Sequence, residues 1–452
     1  MTIATPRPLA PVSLRDLRDV DPYPAYEAMR AVGPVVWDEG MAAWLVLSHD
    51  GCAAVERNED IFEEPTGSLP GAEAIVGKRD IRSLVGAQHE ALHRPLSHAW
   101  RPDPIAPLAR GAVRPLAADR LAGLATSERF EVFEDLARLL PIAVIGRVLG
   151  LPEADTETLD RAKGWMEAVL AWRHTYGEDP AIRAVAIEAT QQLEPALIDT
   201  VRERRDRPTD DAISFLWTQG REVAPDWGEQ DVLDNAKFLF EGGSETTAFL
   251  ISTATHRLLE LPAAIRDATL ADRDALVRFV EEVLRHSTIV HLRARRAVAD
   301  TELDGVAIAA GERVIAINAA ANRDPSRWER PDVLDPDRPR LYSHLAFNVG
   351  PRHCAGAHIA RMEAMEVLPA LWRAFPDLDR APSRAGSDPA VVAPIGFVSR
   401  AYRPVEVTHA TVAAEVARQR VLEGRFAHGE PASHATAPTG DAPPGADGYP
   451  AG

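Results

Sequence analysis

One of the two cysteines in this chain stands in a turn built for more than packing. Cys354 lies in "FNVGPRHCAG", residues 347–356, just ahead of an amphipathic segment. A sulfur at the start of a helix sits near unpaired N–H groups, whose partial positive charge favours thiolate over thiol. Gly350 and Gly356 let the backbone turn tightly and approach a flat group. Phe347 can cover one side, and Arg352 can meet an anion. These features suit a metal-bound thiolate in a shielded pocket; the plainer alternative is an inert, buried cysteine. In "EEVLRH", Glu282 and Arg285 stand one helical turn apart, a spacing that on a surface gives an ion pair of about 0.3 kcal/mol. In "FEGGSETTAF", Gly242 and Gly243 interrupt a helical pattern at about 1 kcal/mol each relative to alanine. A helix accepts that cost where something passes close to it. Glu245 and Thr246 follow directly, and a solvated, bent helix is the competing account.

The elements that position these groups can be traced along the chain. After a Pro-rich opening, "YPAYEAMRAVG" reads as a short helix and "PVVWDEGMAAWLVLSHD" as a hairpin. Helical patterns dominate from about Ala87 to Glu260. One helix holds "LPIAVIGRVLG", another the run "IDTVRERRDR", and the longest spans about Glu229 to Glu260, after Pro225. From His291 to Asn318 the texture becomes β-like: "RARRAVA", "TELDGVAIA", "ERVIAIN". Beyond Cys354, Ile359, Met362, Met365, Leu368 and Trp372 recur at helical spacing, with Pro369 expected to bend the helix near its end. "IGFVSRAYRPVEV" reads as a final hairpin. From about Phe426 the composition is that of a disordered tail.

The 452 residues suffice for a large buried core. A net charge of -18 argues against nucleic acid as the main partner. Two cysteines without zinc-like spacing exclude a disulfide framework and fit a reducing cytoplasm. The N-terminus carries no apolar run, so neither a signal peptide nor a membrane anchor is expected.

The pattern around Cys354 resembles the haem-binding signature of the cytochrome P-450 family, F-x-x-G-x-[RH]-x-C-x-G. The resemblance extends from about Tyr23 to Val407. It implies a mainly α chain with small β-sheets (α+β), arranged as a triangular helical body with a β-rich lobe. It implies one catalytic domain over residues 23–407, with residues 1–22 an N-terminal extension, 408–425 a C-terminal helical extension and 426–452 the tail. It makes Cys354 the axial thiolate of haem b, a ligand that pushes electron density onto iron. Phe347, Arg352 and Gly356 belong to the same cofactor site. Glu282, Arg285 and Arg338, the last from "LDPDRP", match the family's buried structural triad. "GGSETT" resembles the motif above the haem, which makes Glu245 and Thr246 the acid–alcohol pair that handles protons during dioxygen activation. Arg295 in "HLRARRAVAD" matches an arginine that pairs with a haem propionate, while Arg293 and Arg296 are expected to be exposed strand charges. "HEALHRPLSHAW" resembles an H-x-x-x-R propionate motif: His89 matches the histidine, but His93 replaces the arginine, with Arg94 beside it. Ile289 stands where the family usually has proline.

The implied function is monooxygenation: one oxygen atom from O2 enters a small, largely apolar organic substrate. Electrons would come from NAD(P)H through a separate reductase and a ferredoxin or flavodoxin, since no dinucleotide fingerprint is present. A cytoplasmic monomer that binds neither nucleic acid nor membrane is expected. The competing functions are a haem peroxygenase or isomerase, a non-catalytic haem sensor, and a haem-free helical interaction protein. The substrate pocket is expected to draw on residues 63–85, 238–242 and 290–292 and the turn at Gly396-Phe397. Lys78, Arg79 and Arg82 among them suggest one polar or acidic end on the substrate.

Overall fold

Proline and glycine punctuate the helices where local chemistry requires. Pro24 opens Tyr23–Val32 and Pro141 opens Leu140–Leu149, positions where the missing N–H costs nothing. Leu140–Leu149 ends at Gly150, whose φ of 82° and N–H bond to the Arg147 carbonyl make a left-handed cap. The computed structural model describes residues 7–152, 156–382, 390–392 and 398–424.

The helical body is organised around Glu229–Glu260, the longest helix, with the bounds expected from the sequence. Pro180–Asp206 crosses it on one side, and Leu140–Leu149 and Ala357–Ala374 pack along others. Ala357–Ala374 follows the cysteine and runs on through Pro369. One apolar core joins Phe249, Ile251, Phe279, Leu368 and Phe375; a second joins Leu92, Ile145, Leu197, Phe240 and Ile359. Both contain residues of the long helix, which is therefore buried nearly all round.

The β-rich lobe holds a five-stranded sheet in the order Val35–Asp38, Ala43–Val46, Arg313–Ile317, Leu292–Ala297, Phe62–Glu63. The first two strands form the expected hairpin, Val35 opposite Val46. Arg313–Ile317 runs parallel to Ala43–Val46 and antiparallel to Leu292–Ala297, with Val314 opposite Arg295. This pairing fixes which side of Leu292–Ala297 faces the helical body.

One segment differs from the sequence-based expectation. "IGFVSRAYRPVEV" is not one hairpin: Ala401–Arg403 pairs with Ala390–Val392, whereas Glu406–Thr408 pairs with Arg129–Glu131 and Asp379–Arg380. Pro404 separates the two strands, and the Val405 N–H turns to the Glu131 carboxylate at 2.7 Å. Within residues 7–22, Leu14 and Leu17 are buried in the lobe core, and the Trp37 N–H donates to the Pro8 carbonyl. At the other end Ala414–Glu423 is helical and buries Ala417 and Val421. The expected tail, 426–452, lies outside the described residues, as does the Gly396-Phe397 turn. No helix among the described residues is long and apolar enough to cross a membrane.

Candidate active site

The cysteine loop closes on itself: the Cys354 N–H donates to the Phe347 carbonyl at 2.9 Å. Asn348 (φ 66°) and Gly350 (φ 75°) take left-handed backbone conformations. A Cβ on Gly350 would come within 2.8 Å of the Arg57 Cα, so only glycine lets the loop lie against helix His49–Arg57. At Gly356 the nearest atom to such a Cβ is the Cys354 sulfur at 3.9 Å, so this glycine keeps the ground beside the sulfur clear. Phe347 lies under the Arg361 guanidinium, 4.4 Å from the ring centroid.

The Cys354 side chain is exposed, yet protein atoms surround it. The sulfur can therefore be reached although the loop and its neighbours crowd it. Burial pushes the thiol above its ordinary value, against the pull of the Gly356 N–H, Arg293 and Arg361. The thiolate-favouring effect expected of the helix start is thus present but outweighed. A bound metal cation reverses that balance, because it takes the sulfur as thiolate.

Basic groups gather nearby. Arg295 is 2% exposed and its Nη1 lies 2.9 Å from Glu64 Oε2. Burial pushes Glu64 up, but Arg295 and Thr66 together hold it below its ordinary value. Arg352 donates to the carbonyls of Leu84 at 2.7 Å and Arg82 at 3.1 Å and pairs with Glu59, which ties the cysteine loop to residues 82–84. His89 and His93 stack with centroids 4.9 Å apart, and His93 Nε2 lies 2.7 Å from the His353 carbonyl. Burial lowers both imidazoles, His89 to about 3. Arg94 turns to solvent beside Glu90. The expectation for Arg293 is corrected: it shares the inward strand face with Arg295, and burial lowers its guanidinium. Arg296, one residue on, is exposed and pairs with Glu63, as the alternation requires.

The long helix is buried from Asp231 to His256 except at Phe238, Gly242, Gly243, Glu245 and Thr246. Phe238, Gly242, Glu245 and Thr246 recur at i, i+4, i+7 and i+8, so the helix opens along one face. The two glycines there do different work. A Cβ on Gly243 would come within 2.8 Å of Ile145, so this glycine admits a neighbouring helix; one on Gly242 would meet only the edge of the Phe238 ring, at an unstrained 3.9 Å. The Thr246 hydroxyl donates to the Gly242 carbonyl at 3.0 Å. Glu245 lines a cavity with Lys163, Met166 and Glu167, and its carboxyl is pushed up to about 8, chiefly by burial and then by Glu167.

Glu282, Arg285 and Arg338 come together in the interior and not at the surface. Arg285 grips Glu282 with two bonds of 2.7 and 2.8 Å, and Arg338 Nε reaches the same carboxylate at 3.3 Å. The remaining donors of Arg285 bond the carbonyls of Asn322, Pro331 and Val333. Ile289, in the place of the usual proline, is fixed by its carbonyl, which accepts the Arg400 N–H at 2.8 Å.

Several groups at the site gave no local signal. Glu56, Glu59 and Glu64 face the inward arginines, and Met166, Val169, Thr190 and Leu193 share a cavity with Ile75, Val76 and Phe238. The basic residues flagged near the pocket are paired: Lys78 with Glu73, Arg79 with Asp226 and Asp231, and Arg82 with Asp80 and Glu241. An accessible sulfur, a wall of inward guanidinium groups suited to carboxylates, and a helix open on one face fit an iron porphyrin bearing two propionates.

A family model described as cytochrome P-450 matches residues 188–377. The chain is 32% identical to the mycinamicin IV hydroxylase/epoxidase of Micromonospora griseorubida, over 84% of this chain and 93% of that protein. It is also 32% identical to the cytochrome P-450 monooxygenase PikC of Streptomyces venezuelae, over 79% of this chain and 85% of the other. The substrate-free crystal structure of CYP109E1 from Bacillus megaterium matches with a TM-score of 0.74 and 26% identity, covering 87% of this chain and 99% of that one. With the site's chemistry, these likenesses place the chain in the cytochrome P-450 family, as a haem-thiolate monooxygenase of bacterial type whose cofactor is haem b.

Proposed function

We propose that Cys354 is the axial ligand, and that Arg295, Arg352, His89 and His93 hold the haem propionates, with Phe347 and Gly356 shaping the sulfur side. The observation that carries this is the accessible Cys354 sulfur inside a desolvating shell whose charged neighbours are cationic. Haem held by a thiolate supplies the electron-transfer and oxygen-activating chemistry. The chain's own part is positioning and proton control. Glu245 carries a proton at neutral pH and lines a cavity with Lys163 and Glu167, so it can pass protons inward from that side. Thr246, one residue on, offers a hydroxyl already anchored on the Gly242 carbonyl. Retention of both groups favours dioxygen over peroxide as the oxidant. Glu282, Arg285 and Arg338 brace the segment before the cysteine loop. The catalytic unit spans residues 23–407, with 1–22 and 408–425 as extensions. The electron donor is a ferredoxin or flavodoxin served by an NAD(P)H reductase, and the enzyme works as a cytoplasmic monomer.

The test is coupling. Thr246→Ala should still load haem, bind substrate and consume NAD(P)H through a surrogate ferredoxin system, but release hydrogen peroxide in place of product. Fully coupled product formation by this variant would remove Thr246 from the proton path.

A further inference from the structure

We propose that Arg293 receives the acidic group of the substrate, which is then an apolar molecule ending in a carboxylate or a similar anion. This deepens the monooxygenase reading and rests on it. Arg293 stands two residues before Arg295 on strand Leu292–Ala297, on the same face and roughly 7 Å along it. The pocket arginines Arg79, Arg82 and Arg173 are engaged with carboxylates, and Arg295 and Arg352, paired here with Glu64 and Glu59, are the ones assigned above to the propionates. Among the described residues Arg293 has no ion-pair contact. Among the described residues its guanidinium makes one hydrogen bond, a long one of 3.5 Å to the carbonyl of the preceding Leu292. The acid it feels most strongly, Glu56, is already held by the Asn318 amide at 2.7 Å and the Val349 N–H at 3.1 Å. A desolvated guanidinium without a bonded carboxylate is costly unless an anion arrives to meet it.

Its position says which anion. The charges of Cys354, Arg295 and Arg173 all reach Arg293. Arg173 is bonded to Glu241 on the long helix, just before the open Gly242. Arg293 is thus within electrostatic reach of the cysteine and of Arg173, whose partner Glu241 borders a cavity with Phe238. On the reading above, Arg295, Arg352, His89 and His93 meet the two haem propionates, which leaves Arg293 for a carboxylate on the substrate.

The experiment uses the haem-loaded ferric enzyme and follows the spin-state spectrum on titration with dodecanoate, 1-dodecanol and dodecyltrimethylammonium. The wild type should bind the acid at least about 10-fold more tightly than the alcohol, and the ammonium ion least, as for a charge-assisted contact. In Arg293→Gln the acid should lose that advantage, whereas Arg293→Lys should keep most of it. Equal wild-type affinity for acid and alcohol would overturn the proposal, as would an acid preference that persists in Arg293→Gln. Haem transfer to apomyoglobin separates the two sources of carboxylate. Faster haem loss from Arg293→Gln with an unchanged acid preference assigns Arg293 to a propionate and overturns the substrate role. If Arg293→Gln does not fold, the wild-type ranking of the three probes decides. The ferrous carbonyl spectrum of the same samples reports on haem-thiolate ligation separately, so failure of that reading is distinguishable.

Discussion

Glu245 is an acid that keeps its proton at neutral pH. Burial pushes it up to about 8, Glu167 adds repulsion and Lys163 pulls back. The unfolded carboxyl titrates near about 4.3, so between these limits the folded chain binds the extra proton. The stability this group contributes is therefore full below about 4.3 and is lost as pH rises through about 8. Glu245→Gln cannot ionise, so its melting temperature should gain on the wild type as pH is raised from about 5 to about 9. As a proton donor, wild-type Glu245 should give turnover that falls above pH of about 8. Glu245→Gln should be slower by about 10²-fold and lack that limb; a flat wild-type profile over this range would contradict the role. The residue types at the site were legible in the sequence, but their charge states were not. The Glu167 and Lys163 carboxylate and ammonium that surround Glu245 come from a helix far away in the chain. Arg293 was half legible: the period of two places it beside Arg295, but only burial in the folded lobe shows which face turns inward.

At the scale of elements, the two glycines of the long helix make a paired test. A methyl group at Gly243 drives into Ile145, so Gly243→Ala should cost about 1–3 kcal/mol. Ile145→Ala in the same chain should lessen the coupling between them. Gly242→Ala meets only the Phe238 ring at ordinary contact distance and should be neutral or stabilising by up to about 1 kcal/mol. Melting temperatures of the wild type, the three single variants and the Gly243→Ala, Ile145→Ala double variant check this, and equal effects of the two glycine changes would contradict it. The helix itself was readable because Pro225 and Pro262 bracket a continuous apolar-rich run. The reason for its glycines was not, because the Ile145 contact exists only after the helices pack. Glu282 gives the second test: Glu282→Ala strands Arg285, which is fully buried, and should cost about 3–5 kcal/mol. Unchanged haem content and thermal stability would show that the triad does not brace the fold.

Across the whole molecule, both ends of the described chain pack onto the body. Val421 in Ala414–Glu423 is fully buried, so Val421→Asp should cost about 3 kcal/mol or more, read from denaturant unfolding. The sequence showed a helical extension there. It did not show the docking, because the residues that receive it come from distant helices, as when Arg418 meets Asp119. In the function proposed, the fold as a whole serves to present the Cys354 sulfur to the haem iron. That claim is tested most directly by the ferrous carbonyl spectrum of the purified protein. The wild type should be red and show the strongly red-shifted Soret band of thiolate ligation. Cys52→Ala, which removes a buried sulfur bonded to the Val46 carbonyl, should keep the band. Cys354→Ala should lose it, and a Cys354→Ala protein that retains it would contradict the account.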